Sequence, residues 1–171
     1  GEHKKNSFQV LNPLSEVPVL QHGDLVIYDS RAIAEYLLER FDHQQLWWGK
    51  NSWQAAQNRM WLALEAGTHK EIKPLWNKYT LNTMHYPLSA KDEEASLKRI
   101  QQKLEVLESA LQLNKFLCGD DIRYADIVWY TRIEMLAGIP GFNLTNLSNI
   151  LAWYKSMEKV MTQDNHSFLQ H

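Results

Sequence analysis

The sequence has 171 residues, 44% of them hydrophobic, with 18 basic and 20 acidic residues and a formal net charge of −2. This length suits one domain or two small ones with a real hydrophobic core. The balanced charge lacks the basic excess of nucleic-acid-binding and membrane-surface proteins, and no apolar run approaches the roughly 20 residues that span a bilayer, so we expect no nucleic acid or membrane partner. The single cysteine, Cys118, excludes an internal disulfide and favours a reducing, cytoplasmic location.

The first part of the chain has the pattern of a β-hairpin followed by a helix. The apolar runs 17–20 and 25–28 predict two strands, and His22-Gly23-Asp24 is typical of the turn between them. A helix is predicted next, because Asp29-Ser30 is a good N-terminal cap and apolar residues follow at spacings of three and four.

From residue 53 onward the chain shows only helical patterns. Helices are predicted over 53–74, 97–111, 125–136 and 147–161, with a loop at 82–90 around Pro87 and breaks at Gly119 and Pro140-Gly141. Pro74 is expected to kink or end the first of them. We therefore predict an α+β front domain over 1–42, a linker over 43–52 and an all-helical bundle domain over 53–171.

The predicted front domain is too small to be stable as it stands. An isolated hairpin is marginal in water, and a single helix covers only one of its faces. An open sheet edge also invites aggregation. We expect the sheet to be completed by residues that precede this sequence, by a partner chain or by the helical domain.

Two neighbouring segments of the front domain carry the clearest chemical signal. Pro18, between apolar residues at a strand start, is compatible with a cis peptide bond that turns the backbone of Val17 outward. Asp29 and Ser30 stand where a helix begins, and free N–H groups there favour a bound carboxylate. This combination suits a small acidic peptide, although Asp29 or Ser30 serving only as a helix cap is an equally simple interpretation.

Two blocks of the sequence resemble the cytosolic glutathione transferases, especially the phi and theta classes. They are Asn12-Pro13-Leu14-Ser15-Glu16-Val17-Pro18 with Gly23-Asp24 and Asp29-Ser30-Arg31-Ala32-Ile33, and then Phe116-Leu117-Cys118-Gly119-Asp120 with Ala125-Asp126-Ile127. The resemblance covers nearly the whole chain and implies a partial thioredoxin-like domain followed by the helical domain of that family. It also implies that the backbone of Val17 pairs with the cysteinyl part of glutathione beside a cis Pro18, and that Asp29 and Ser30 hold the γ-glutamyl group.

The beginning of the chain also takes part in this resemblance. His3 and Lys4 are expected near the glycyl carboxylate of glutathione, with a solvated run of charge near the terminus as the alternative. In the family a strand, a helix and a second strand precede this segment and carry the residue that stabilises the glutathione thiolate. We therefore expect the catalytic residue in that preceding segment and assign none within this sequence.

The function that the resemblance implies is conjugation of the glutathione thiolate to a hydrophobic electrophile by a homodimeric enzyme. Glutathione is the expected co-substrate, and no metal is expected because no two histidines stand three or four residues apart. Alternatives are another glutathione-dependent enzyme (isomerase, dehalogenase or thiol reductase) and a non-catalytic binding or interaction module on the same fold.

Several positions depart from the family pattern or leave more than one interpretation open. Ser15 stands in place of a glycine, so a positive φ there would be strained. Arg123 replaces a capping serine or threonine, although Asp126 can still accept from its backbone N–H. Cys118 is expected to be buried and inert. The resemblance also implies that the helix from Trp53 lines the electrophile pocket. Four of its residues could project towards that pocket: Trp61, Glu65, Thr68 and His69. The alternative is that Trp61 packs in the core and that the other three lie on the surface.

Overall fold

The computed structural model describes residues 1–81, 88–140, 142 and 144–163. The chain divides into two compact units, Gly1–Trp48 and Gly49–His171. Most of the predicted loop at 82–90, and the predicted stop at Gly141, lie outside the described residues. The predicted domain limits at 42 and 53 stay a prediction.

The front unit contains the expected antiparallel hairpin with one helix after it. Its elements are a short 3-10 helix Glu2–Lys4, α1 (Asn6–Gln9), β1 (Val19–His22), β2 (Leu25–Tyr28) and α2 (Ser30–Phe41). The strands pair from Val19↔Tyr28 to His22↔Leu25, and Gly23 takes a φ of +62° in the turn. The first strand begins two residues later than predicted, because Pro18 has no N–H to give to a ladder.

The front unit has no apolar core of its own. Among its described residues no apolar side chain is fully buried, and the two buried side chains, Asn12 and Ser15, are polar. Large apolar side chains stay substantially exposed in it: Val10, Leu14, Val17, Leu25, Tyr28, Leu37, Phe41 and Leu46. The sequence-based expectation that two strands and one helix leave apolar faces uncovered agrees with this exposure.

The helical unit is built from four long helices. They are α3 (Ser52–Trp76), which continues into a π-helical turn Asn77–Leu81, then α4 (Ala90–Leu113), α5 (Tyr124–Ala137) and α6 (Ser148–Gln163). Pro74 does not end α3, which runs two residues further.

The core of the chain lies in this unit, where α3 packs against both α4 and α5, and α6 packs against α4 and α5. In α4 the apolar residues Ile100, Leu104, Leu107 and Leu111 recur at spacings of three and four, and all four are buried. The helices that pack around α4 and one another also bury many apolar side chains, among them Leu62, Ile72, Leu75, Trp129, Ile133, Leu136, Ile150, Trp153 and Met157.

Asp126 is a buried carboxylate that joins three segments of the helical unit. Its Oδ2 accepts from the Arg123 N–H at 2.9 Å, and this confirms the predicted half of the capping arrangement. Its Oδ1 accepts from the Leu117 N–H at 2.9 Å and from Trp153 Nε1 at 3.0 Å. Burial raises the pKa of this carboxyl, while these hydrogen bonds oppose the shift. Asp126 therefore caps α5 and holds both the preceding turn and α6 in place.

Candidate functional site

A tight turn organised by Asn12 leads into the predicted peptide-binding strand. Asn12 Nδ2 donates to the Glu16 carbonyl at 2.7 Å, its Oδ1 accepts from the Leu14 N–H at 3.0 Å, and its carbonyl accepts from the Ser15 N–H at 2.9 Å. Ser15 takes a φ of +55°, so this serine has the positive φ that is strained for a residue other than glycine. Sequence reasoning gave Asn12 no role of its own and missed that it shapes this turn, although an asparagine that bonds the backbone two residues ahead is a known turn former.

The turn ends at Val17 and Pro18, the residues that are predicted to pair with the backbone of a peptide. The Val17–Pro18 peptide bond is cis, as the family resemblance implied. The strand ladder stops at the Val19↔Tyr28 pair, so no ladder hydrogen bond occupies the backbone of Val17. Val17 is 67% exposed. Val17 is therefore an exposed residue just beyond the end of the ladder, and the pairing of its backbone with a peptide stays a prediction.

The beginning of α2 lies at the same end of the hairpin. Because Val19 pairs with Tyr28, Pro18 and Asp29 are the first residues beyond the ladder on neighbouring strands, which run about 4.8 Å apart. The structure therefore brings Val17-Pro18 and Asp29-Ser30 together, although eleven positions separate Pro18 from Asp29 in the sequence.

Asp29 acts as the N-terminal cap of α2. Its Oδ1 accepts from the N–H groups of Arg31 at 2.9 Å and Ala32 at 3.1 Å, and the residue takes a φ of +80°. Asp29 therefore caps α2, while its role towards a ligand stays a prediction. Its carboxylate already occupies two of the free donors of the helix terminus, which leaves the exposed Ser30 to offer a hydroxyl and an N–H.

The two residues predicted for the glycyl carboxylate differ in what the structure shows of them. Lys4 Nζ donates to the Ser15 carbonyl at 3.3 Å, which places its ammonium beside the turn that leads to Val17. His3 is half-buried in the 3-10 helix one residue earlier. The Lys4 contact thus places a positive charge near Val17 and Pro18, while the position of His3 relative to a ligand stays a prediction.

On α3 the structure separates the four residues considered for the electrophile pocket. Trp61 is buried and its carbonyl accepts from Trp129 Nε1 at 3.0 Å, so the core interpretation is correct for it. Thr68 and Glu65 are also buried, and the surface interpretation is wrong for both. Thr68 bonds the Leu64 carbonyl, while Glu65 is tolerated in the core because the Arg132 guanidinium pairs with it. His69 is half-buried.

Cys118 is buried, and burial together with the nearby Asp126 carboxylate raises the pKa of its thiol to about 12. The prediction of a buried cysteine is confirmed, and a thiol with such a pKa is expected to be a poor nucleophile near neutral pH.

Within 1–81, 88–140, 142 and 144–163 no cluster of three His, Cys, Asp or Glu side chains could ligate a metal ion. No helix in those ranges has the length and apolar character needed to traverse a bilayer.

Comparison with known proteins identifies relatives across both units. The model of the "Glutathione S-transferase, N-terminal domain" matches residues 1–39, and that of the C-terminal domain of the same proteins matches residues 58–160. Glutathione S-transferase F9 of Arabidopsis thaliana is 30% identical over 162 residues, which are 90% of this chain and 74% of that protein. Human glutathione S-transferase theta-1 is 27% identical over 168 residues, which cover 96% of this chain and 70% of the relative.

Solved structures agree with these sequence matches. The apo form of human glutathione S-transferase T1-1 superposes with a TM-score of 0.81 at 26% identity and covers 98% of this chain and 74% of its own. A glutathione S-transferase I bound to lactoylglutathione superposes with a TM-score of 0.79 at 27% identity, over 92% of this chain and 77% of its own. Together with the cis Val17–Pro18 bond beside the start of α2, these matches show that the chain belongs to the glutathione S-transferase family.

Proposed function

We propose that this chain acts as a glutathione transferase, which joins the glutathione thiolate to an apolar electrophile. The observation that carries the proposal is the meeting of the cis Val17–Pro18 segment and the N-terminus of α2 at one end of the hairpin. A solved relative is described with lactoylglutathione bound, which supports a glutathione-type ligand.

Each predicted residue has a role that its chemistry supports. The backbone N–H and C=O of Val17, before Pro18, pair with the cysteinyl residue of glutathione as a short added strand. Ser30 donates to the γ-glutamyl carboxylate, and the Asp29 carboxylate attracts the neighbouring ammonium group. His3 and Lys4 provide positive charge for the glycyl carboxylate.

The reaction is a nucleophilic attack by sulfur. A hydrogen bond to the thiolate form lowers the pKa of a bound thiol, and the resulting thiolate attacks the electrophile. We assign the thiolate-stabilising role to no residue between 1 and 171, because in the resembled family that role belongs to a strand that precedes the matched segment. In this chain the named residues serve to bind and orient glutathione.

We further propose that two copies of the chain form a cytoplasmic homodimer through the exposed face of α3. Trp53 and Met60 lie on one face, 69% and 54% exposed, and the small side chains of Ala56 and Ala63 lie between and after them. Small residues beside large apolar ones allow a second helix to approach closely, and an apolar stripe of this kind on a monomer marks an association surface. A second copy is the occupant that a symmetric assembly supplies.

Calorimetric titration of the chain with reduced glutathione tests the binding site. We expect Ser30→Ala to weaken binding about 10-fold, because a carboxylate loses one charge-assisted hydrogen bond. Ser109→Ala, at an exposed position on α4, serves as the control and should bind like the unchanged chain. Equal affinities for Ser30→Ala and the control would place the glutathione site elsewhere.

An assay with an aryl halide and glutathione then separates the enzyme from a binding module on the same fold. Conjugation that falls in Ser30→Ala supports the transferase. Tight glutathione binding without any turnover would favour the non-catalytic module. Reduction of a disulfide substrate in place of conjugation would favour a thiol reductase.

A further inference from the structure

A chain of polar contacts fastens α3 to α5 along the interior of the helical unit. Asn58 Oδ1 accepts from the Ala125 N–H at 2.8 Å, and the Trp61 carbonyl accepts from Trp129 Nε1 at 3.0 Å. The next contact along the same face is the ion pair of Glu65 with Arg132. Glu65 is only 2% exposed, so this pair lies largely out of water.

His69 stands one helical turn after Glu65 and therefore next to this ion pair. Its Nδ1 atom is buried and has no hydrogen-bond partner within the described residues. Three charged groups act on its ring, namely Arg132 from α5 and Glu65 and Lys73 from α3 itself. Two of the three are cations, so a proton on His69 adds a third positive charge to a partly dry site that holds one negative charge.

We propose that His69 makes the α3–α5 contact sensitive to acid, because the neutral ring fits the site and the protonated ring is better accommodated when the two helices separate. The ordinary alternative is a histidine that packs here without any effect on pH dependence. A neutral ring with an unbonded Nδ1 tolerates burial at a modest cost, whereas an imidazolium needs acceptors for both of its N–H groups.

The direction of the effect follows from linkage. Burial, then the nearby Arg132, lower the pKa of His69 below 6.5, and the Lys73 charge acts in the same direction, although Glu65 opposes them. The unfolded chain therefore binds a proton more readily than the folded one. The stabilisation by neutral His69 is complete above pH 6.5 and is lost as the pH falls from there through the lower pKa of the folded state.

The first experiment is an NMR titration of the histidine rings in the complete chain between pH 8 and pH 5. We expect the His69 ring to titrate below 6.5 and Lys73→Gln to move its midpoint upward, since that variant removes one exposed cation. A His69 midpoint at or above 6.5, or one that Lys73→Gln leaves in place, would overturn the proposal.

The second experiment follows the thermal midpoint of the same chain over the same pH range. His69→Gln and His69→Phe should each lose part of the acid-induced fall in midpoint below pH 6.5, while the exposed control His43→Gln should keep the full fall. If the thermal midpoints of both His69 variants fall as steeply with pH as the midpoint of the control, His69 is a packing residue without a pH role. The two variants differ in polarity and size, so a folding defect in one leaves the other to decide.

Discussion

At the scale of single residues, buried polar side chains do much of the organising in this protein. Asn12 shapes the turn before Val17 and Pro18, and Asp126 accepts hydrogen bonds from three donors in different segments. Buried groups of this kind are costly to leave unpaired, so each one fixes the conformation of the chain around it. The sequence signals the first only as a proline-adjacent asparagine and the second only through its family pattern.

The three hydrogen bonds to Asp126 predict a large stability effect. Asp126 is 0% exposed, so Asp126→Ala leaves the Leu117 and Arg123 N–H groups and Trp153 Nε1 buried without their acceptor. We expect the free energy of unfolding to fall by at least about 3 kcal/mol, measured by urea denaturation. Asp120→Ala, an exposed neighbour, should change it by less than about 0.5 kcal/mol. Similar losses for the two variants would contradict this account of Asp126.

Cys118 gives a second prediction at this scale. With its thiol buried and its pKa raised to about 12, the folded protein should not react with a thiol reagent at pH 8. Unfolding in guanidinium should release one equivalent of reactive thiol, since the sequence contains one cysteine. Rapid labelling of the folded protein would show that the site opens or that the thiol is exposed.

At the scale of elements, periodicity predicted the helices better than it predicted their ends. The helix of α4 and its buried stripe follow directly from apolar spacing, because packing against one side demands that spacing. The end of α3 at Trp76 could not be predicted from Pro74, since a proline can either end a helix or kink it and the sequence does not decide between the two. The start of β1 was misplaced because the ladder begins only after Pro18.

Only part of the candidate site could be predicted from the sequence. The resemblance pointed to Val17, Pro18, Asp29 and Ser30, and the strand register brings these residues to one end of the hairpin. Glu65 and Thr68 were misjudged, because a charged or polar residue on a helix face carries no sign of a partner on another helix. Arg132 is that partner for Glu65, and 67 positions separate the two.

Glu108 supports a prediction about how α4 fixes α6. Its Oε1 accepts from the Asn149 N–H at 2.9 Å and its Oε2 from the Ile150 N–H at 2.9 Å, so a carboxylate from one helix caps the N-terminus of another. Glu108→Ala should lower the free energy of unfolding by about 2 kcal/mol in denaturant titrations. Glu105→Ala, an exposed residue on the same helix, is the control and should have little effect. A small loss for Glu108→Ala would mean that α6 finds another cap.

At the scale of the whole molecule, the chain consists of a front unit without a buried apolar core and a helical unit with a dense one. The contrast follows from size, since four long helices can cover one another and a single hairpin with one helix cannot. The helical unit therefore has the means to be stable on its own packing, while the front unit carries the predicted binding residues.

The proposed homodimer gives a prediction at this scale. Met60→Glu places a charge on the exposed stripe of α3, and we expect it to convert a dimer into a monomer in sedimentation velocity experiments. Val106→Glu, which changes an apolar residue on α4 that is 51% exposed, should leave the dimer intact. A dimer that persists in Met60→Glu would move the interface away from this face, and a monomeric unchanged chain would remove the proposal.

The central claim is that glutathione binds at the end of the hairpin where Val17-Pro18 and Asp29-Ser30 meet. An amide NMR titration of the isotope-labelled chain with reduced glutathione tests it most directly, because each backbone N–H reports separately. We predict saturable shifts that are largest at the N–H groups of Val17 and Ser30, with no comparable change at the interior positions of α4. Shifts confined to the helical unit, or none at all, would contradict the account.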